Sequence, residues 1–181
     1  MDQVEFINGK TRLYGIVGDP IEQVRSPEMV TWEMQSRHHN AILVPLHVAR
    51  DAFDSVIADI MCIRNLDGLI FTIPFKAKAT SLAKSLGPQA TQIGAINALK
   101  KNPDGQWSGE IFDGIGCVEA LKRRGIRIQG QRLQLIGLGG AGSAICVALA
   151  YEKPRLMRIF DIDPKTTERM AQMVRNISPQ T

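Results

Sequence analysis

Only three cysteines and three histidines occur among the 181 residues, aromatics make up 6%, and no stretch approaches the run of about eighteen apolar residues that a membrane helix requires. Each scarcity removes a class of protein. Cys62, Cys117 and Cys146 are odd in number, far apart and set in apolar helical patterns, so neither a disulfide framework nor a thiolate metal site is expected, and a reducing cytoplasm fits. His38, His39 and His47 lack metal-ligand spacing; no metal is expected, and these side chains read as surface or packing residues. Met1-Asp2-Gln3-Val4-Glu5 shows neither a basic leader nor a long apolar run, so the reading is of a chain that is not exported and does not span a membrane. Charge of one sign is also missing. The 22 Lys and Arg are interspersed with 18 Asp and Glu, and the densest run, Lys122-Arg123-Arg124, falls in the last turn of an expected helix, where cations complement the dipole. Nucleic acid is therefore not an expected partner.

What is present is the material of a folded core: 44% apolar and 22% charged residues, in the ordinary globular range. At roughly 150 residues per domain, the chain holds one complete domain and part of another. Short apolar runs alternate with helical patterns through Leu13 to Val17, Pro27 to Arg37, Ala41 to Val48, Asp51 to Ile63, Gly68 to Ile73 and Phe75 to Leu86. Such alternation predicts an α/β fold with a βαβ-type, mostly parallel sheet. Ser26-Pro27 reads as an N-cap with proline at the first helical position, and Asp51 as the cap of the next helix.

The rhythm then changes. Two extended stretches, Ala95 to Lys100 and Gln106 to Phe112, flank Asn102-Pro103-Asp104-Gly105, which predicts a hairpin and brings Asn97 towards the segment holding Asp113. A helical segment from Ile115 to Arg124 ends at Gly125, and a new strand-helix-strand pattern begins at Arg132. The expected division is 1–125 as a substrate-binding and catalytic domain with a linking helix, and 126–181 as a partial Rossmann dinucleotide-binding domain.

The second part carries the more specific signal. Strand Leu133 to Ile136 runs into Gly137-Leu138-Gly139-Gly140-Ala141-Gly142 and then a helix from Ser143 to Tyr151. Gly137, Gly139 and Gly142 match the dinucleotide fingerprint in its strand-turn-helix setting: a tight turn, close approach of backbone to a pyrophosphate, and close helix packing. Gly140 and Ala141 complete the turn at the helix N-terminus, where main-chain N–H groups face phosphate. Asp161, 19 residues beyond Gly142, ends the following strand, where a carboxylate can accept from ribose hydroxyls and repel a 2′-phosphate. NAD is thus favoured over NADP, with Lys165 and Arg169 moderating the preference; the competing reading makes Asp161 or Asp163 an ordinary turn residue before Pro164.

Gly18-Asp19-Pro20-Ile21-Glu22-Gln23-Val24-Arg25-Ser26-Pro27, Gly68-Leu69-Ile70-Phe71-Thr72-Ile73-Pro74-Phe75-Lys76, and Gly94-Ala95-Ile96-Asn97 followed by Gly109 to Gly116 occur in this order ahead of the glycine turn. In order and spacing they resemble the motifs of the shikimate and quinate dehydrogenase family, from about Leu13 to Asp163. The resemblance implies that Lys76 and Asp113 form the catalytic pair and that Ser26, Thr72 and Asn97 line the pocket of a small hydroxy acid. It also implies a monomer or homodimer, and a role of the kind found in aromatic amino acid biosynthesis. The residue chemistry agrees. Oxidising a secondary alcohol removes a hydroxyl proton as hydride leaves, a task suited to a cleft lysine tuned by a carboxylate. Ser26 sits where a helix N-terminus favours a carboxylate, and Thr72 and Asn97 offer neutral donors and acceptors.

The chain departs from the family pattern at Val24, where a second serine is usual, at Ile70, where asparagine is usual, and at Ile111-Phe112, which replace Asn-Thr. These changes make the pocket more apolar and point to a changed substrate, such as quinate, since sites built for a hydroxyl discriminate strongly. The nucleotide part is shorter than the two mononucleotide halves that a dinucleotide bridges. A catalytically silent fragment, or a module that binds a small molecule or a partner without hydride transfer, is the alternative reading.

Overall fold

The computed structural model describes residues 7–180. By its contacts the chain forms two units: one comprises the described residues up to Gly87 together with Ala95–Glu110, the other Pro88–Gly94 and the described residues from Ile111 onward. The second unit is thus larger than the 126–181 reading, because the helix expected to link the domains packs with the glycine-turn helix. No helix among the described residues is long and apolar enough to cross a membrane.

The first unit is built on β1 (Arg12–Gly18), α1 (Ser26–Ser36), β2 (Ala41–His47), α2 (Phe53–Ile60), β3 (Leu66–Phe71), β4 (Ser85–Leu86), β5 (Ala98–Lys101) and β6 (Trp107–Glu110). The strand order is β2-β1-β3-β5-β6-β4, with β2, β1 and β3 parallel, β3–β5 and β5–β6 antiparallel, and β4 parallel to β6. The βαβ alternation and the hairpin read from the sequence are both present. Alternation along the strands explains the core: Val17, Leu69, Phe71 and Leu99 are fully buried together with Phe53 and Ile57 of α2. Phe53 stacks on Phe75 at 4.5 Å and tilts against Phe71 at 6.0 Å. Each such side chain contributes about 1.5–3 kcal/mol on leaving water. A second apolar cluster joins Ile16, Ile21 and Leu43 to Val30 and Met34 of α1, with Val24 and Ile70 against it.

Three local expectations differ. The N-cap of α1 is Arg25 rather than Ser26, and that of α2 is Ala52 rather than Asp51; neither makes a side-chain cap bond. The run Phe75 to Leu86 has a helical period but forms a turn, a 3-10 segment over Lys78–Leu82 and the short β4. Tertiary pairing overrides its propensity, since Lys84 and Gly87 donate to the Trp107 and Gly109 carbonyls on β6.

Arg12 on β1 and Asp67 on β3 are joined by a forked pair, with Arg12 Nε 2.7 Å from Asp67 Oδ2. The Arg12 hydrogen bond holds the Asp67 carboxyl below its usual range. Because the folded-state value is depressed, the pair's stabilisation is present above the unfolded carboxyl pKa of about 4 and is lost as pH falls through the folded one. Side-chain exposures of 45% and 29% keep the contribution below about 1 kcal/mol. Asp67→Asn is expected to flatten the acid limb of unfolding free energy between about pH 5 and 2, measured by urea titration; an unchanged limb would remove this pair as a contributor.

The second unit contains α3 (Pro88–Ile93), α4 (Asp113–Arg123), β7 (Arg132–Ile136), α5 (Gly140–Tyr151), β8 (Leu156–Phe160) and α6 (Pro164–Ile177). α3 was not legible from periodicity, being only six residues long. Val118 of α4, Ile128, and Ala148 and Leu149 of α5 form its core, with Leu133 and Met157 packed against them. The close fit of α4 on α5 rests on Gly114, whose missing Cβ would overlap the Ala144 carbonyl oxygen and come within 2.9 Å of Ala148 Cβ. Cys146 is buried in α5 and its thiol is pushed up to about 11 by that burial, which suits packing rather than reactivity. β7 and β8 pair in parallel, Leu133 with Met157 on the helix-covered face and Ile136 with Phe160 on the other, where Ile136 and Phe160 are exposed.

Candidate functional site

In an open α/β sheet, a crevice opens beyond the carboxyl ends of strands where the chain order reverses. Here β1 leads to β2 on one side and β3 lies on the other, so the reversal falls between β1 and β3. Gly18 closes β1, and a Cβ there would overlap Thr72 Cγ2, the first residue beyond β3; the glycine makes room for the threonine.

Main-chain bonds fix the surroundings. Thr72 N–H donates to the Val17 carbonyl at 2.9 Å and Asp19 N–H to the Ile73 carbonyl at 2.9 Å, locking the two loops together. Phe71 N–H donates to the Asn97 carbonyl at 2.9 Å, and Ile96 N–H to that of Lys76 at 2.8 Å. Thr72, Lys76 and Asn97 are therefore gathered at one end of the sheet by backbone geometry, each half-buried. Ser26 is the first residue of α1, at the far end of the loop leaving Gly18, also half-buried, and its hydroxyl is not used to cap the helix. Asn97 N–H donates to the Glu110 carbonyl at 3.0 Å, the last residue of the hairpin. Asp113 lies in the second unit as the first residue of α4, where the helix dipole favours its negative charge.

Sequence reasoning missed a cluster on the β1 loop: Asp19 Oδ1 lies 3.0 Å from His47 Nε2, and Asp19 Oδ2 lies 3.6 Å from Arg50 Nε. His47 ends β2, beside Gly18 in the parallel register, so the pairing of β1 with β2 was the signal that could have found it. Three of the four apolar departures are packed into apolar surroundings, and the fourth is open to solvent. Val24 and Ile70 belong to one apolar cluster, Ile111 is fully buried, and Phe112 is 52% exposed.

The glycine turn has the form its motif predicts. Gly137 has φ +91°, open chiefly to glycine, and a Cβ on Gly142 would overlap the Gly137 carbonyl oxygen. A Cβ on Gly139 would meet nothing within 4 Å, so the space over the middle of the turn is open to a ligand rather than filled by protein. Gly140 and Ala141 begin α5, and Ser143 Oγ donates to the Leu138 carbonyl at 2.7 Å, tying the turn to its helix. The residues present fit the pyrophosphate end of a dinucleotide.

Asp161 is turned partly onto its own loop. It accepts from Asp163 N–H at 2.9 Å and from Leu138 N–H at 2.6 Å, and these bonds hold its carboxyl below the usual range. Asp163 caps α6 by accepting from Lys165 and Thr166 N–H groups. Both aspartates therefore organise turns, and Asp161 in addition keeps a negative charge beside the glycine turn.

Comparison with known proteins places this geometry in a family. Residues 16–99 match the model for the shikimate dehydrogenase substrate binding domain. Shikimate dehydrogenase (NADP(+)) of Anaeromyxobacter dehalogenans strain 2CP-1 is 38% identical over 143 residues, 79% of this chain and 50% of that protein. The enzyme of the same name from Pyrococcus furiosus is 31% identical over 169 residues, 92% of this chain and 58% of that protein. Shikimate 5-dehydrogenase from Listeria monocytogenes, solved with shikimate and NAD, superposes with a TM-score of 0.85 at 27% identity, covering 98% of this chain and 62% of that one. The chain spans about half the length of the curated relatives it matches. With its crevice motifs, its glycine turn and these relatives in agreement, the chain belongs to the shikimate dehydrogenase family.

Proposed function

We propose that this chain serves hydride transfer between a nicotinamide cofactor and a ring hydroxyl or ketone of a shikimate- or quinate-like hydroxy acid. The observation that carries the reading is the gathering of Thr72, Lys76 and Asn97 by main-chain bonds at the β1–β3 crevice. In this reading residues 1–125 serve the substrate and 126–181 the cofactor.

When bound, the nicotinamide accepts or returns the hydride. The chain supplies the rest. Lys76 Nζ takes the hydroxyl proton on oxidation and returns it on reduction, and Asp113, its partner in the family pattern, orients the lysine. Ser26, at the head of α1, receives the substrate carboxylate, while Thr72 and Asn97 hold ring hydroxyls. Main-chain N–H groups of Gly139, Gly140 and Ala141 hold the pyrophosphate, with Gly137 and Gly142 shaping the turn. Val24 and Ile70, packed in one apolar cluster, offer no hydrogen bond to a substrate hydroxyl, which favours a related hydroxy acid over shikimate itself. The Asp161 charge favours NAD, whereas Lys165, Arg169 and the likeness to relatives named for NADP favour NADP.

The test is absorbance at the reduced-nicotinamide band with shikimate and with quinate, each with NAD and with NADP. A substrate-dependent rise is expected, and the ratio of kcat/KM between cofactors decides the preference. Asp161→Ala is expected to shift that ratio towards NADP. Silence in all four combinations would overturn turnover by this chain on these acids and leave the reading of a binding module.

A further inference from the structure

Strand β2 is an edge of the first unit's sheet, and the loop that leaves it carries no residue of the proposed chemistry. That loop nevertheless holds a neighbour that leads to the crevice. His47, the last residue of β2, pairs in register with Gly18, and Val48 N–H donates to the Gly18 carbonyl at 3.3 Å. Asp19 follows Gly18, so its carboxylate meets both side chains of the β2 loop: Oδ1 lies 3.0 Å from His47 Nε2 and Oδ2 lies 3.6 Å from Arg50 Nε. Each oxygen has its own partner.

The main chain of the same residue serves the opposite side. Asp19 N–H donates to the Ile73 carbonyl at 2.9 Å, and Thr72, the residue before Ile73, donates its N–H to the Val17 carbonyl at 2.9 Å. Asp19 therefore joins the loops beyond three neighbouring strands: β2 through its carboxylate, β3 through its amide, and β1 through its own place in the chain. The stretch from Asp19 to Ser26 bonds to itself at short range, with Gln23 Nε2 donating to the Pro20 carbonyl at 2.9 Å and Val24 N–H to that of Ile21 at 3.2 Å. Ile21, buried in the cluster with Ile16 and Leu43, holds this stretch down on the sheet. Apolar burial has no direction, so the aim of the loop falls to the directional contacts at Asp19. Side-chain exposures of 30% for Asp19, 54% for His47 and 69% for Arg50 make these contacts too weak to decide whether the sheet folds, and suited to tuning where its loops sit.

We infer that Asp19 is a positioning residue of the crevice, through which His47 and Arg50 set the placement of Thr72 and of the loop leading to Ser26, and thereby the affinity for the hydroxy acid. The link to affinity rests on the proposed function, in which Thr72 and Ser26 hold the substrate; the junction of the three loops does not.

Amide hydrogen exchange of the ¹⁵N-labelled 181-residue chain, free of substrate and cofactor, tests the junction. In Asp19→Ala, exchange at Val48, at Thr72 and at position 19 itself is expected to quicken at least about fivefold through local opening, while Lys84 and Gly87, bonded to β6 at the opposite edge of the sheet, stay within about twofold. His47→Ala is expected to give the same pattern more weakly, and His47→Gln, which returns an N–H donor near the place of Nε2, to restore the parent rates. Affinity is read as KM for shikimate or quinate, whichever the parent turns over. Asp19→Ala is expected to raise KM about three- to fivefold with kcat within about twofold, the size that ion pairs of this exposure can carry, and adding His47→Ala is expected to raise it no further. Quickening at all five amides alike, or at none, overturns the junction. A KM that is unchanged or lowered in Asp19→Ala, or additive effects of the two substitutions, overturns its hold on affinity. If the parent turns over neither acid, the proposed function and the link to affinity fall together, and the exchange pattern alone upholds or removes the junction.

Discussion

Lys76→Ala is expected to lower kcat/KM by about 10²–10⁴-fold, the usual loss when a positioned proton-transfer group is removed. The lysine's main-chain carbonyl accepts from Ile96 N–H, so the substitution leaves that anchor, and the placement of Asn97 beside it, in place. A structural role and a chemical one then separate cleanly. If Lys76 moves the proton, KM changes little compared with kcat, the loss is present with both shikimate and quinate, and small primary amines added to the solvent restore part of the rate. If Lys76 only shapes the loop, KM rises, thermal stability falls and amines do nothing. A variant retaining activity within a few-fold of the unaltered chain would remove Lys76 from the chemistry and with it the central assignment of the proposed function.

Gly114→Ala is expected to destabilise the second unit by about 3 kcal/mol, at the upper end of what one added methyl costs in a tightly packed contact. The new methyl would overlap the Ala144 carbonyl oxygen and lie 2.7 Å from its carbonyl carbon, both backbone atoms of α5 that cannot rotate away. For a unit of this size such a change lowers Tm by on the order of 10 °C. Gly116 provides the control, two residues further along the same helix. A Cβ there meets nothing within 4 Å, so Gly116→Ala is expected to stabilise by roughly 0.5–1 kcal/mol through helix propensity alone. Opposite signs for two alanines on one helix, read by circular dichroism melting, are the signature of close α4–α5 packing; equal effects would mean that the helices are not in that contact.

The expectations that survived rest on local rules, and several of those that failed were decided by distant partners. Alternating runs announced β1, β2 and β3, and Asn102-Pro103-Asp104-Gly105 announced the hairpin, because turn residues act on their own neighbours. The segment after Phe75 carries a helical period, yet its course is set by carbonyls on β6, more than twenty residues away in the chain. Serine before proline suggests a cap, but the helix begins one residue earlier and Arg25 takes that place. Asp161 shows the same limit in the site itself. Its position predicts a ribose contact, while its bonds to Leu138 and Asp163 N–H groups depend on how the glycine turn closes beside it. The Asp19–His47–Arg50 cluster was invisible because only strand register brings the three together.

The chain changes unit three times, after Gly87, Gly94 and Glu110. Neither unit is therefore a cassette. A cut after Glu110 would keep Pro88–Gly94 while discarding the rest of the unit that segment belongs to, and a graft beginning at Ile111 would lack α3. Chimeras that exchange one unit among relatives must make three joints instead of one, and recombination at a single crossover would always deliver one unit with a foreign seam inside it.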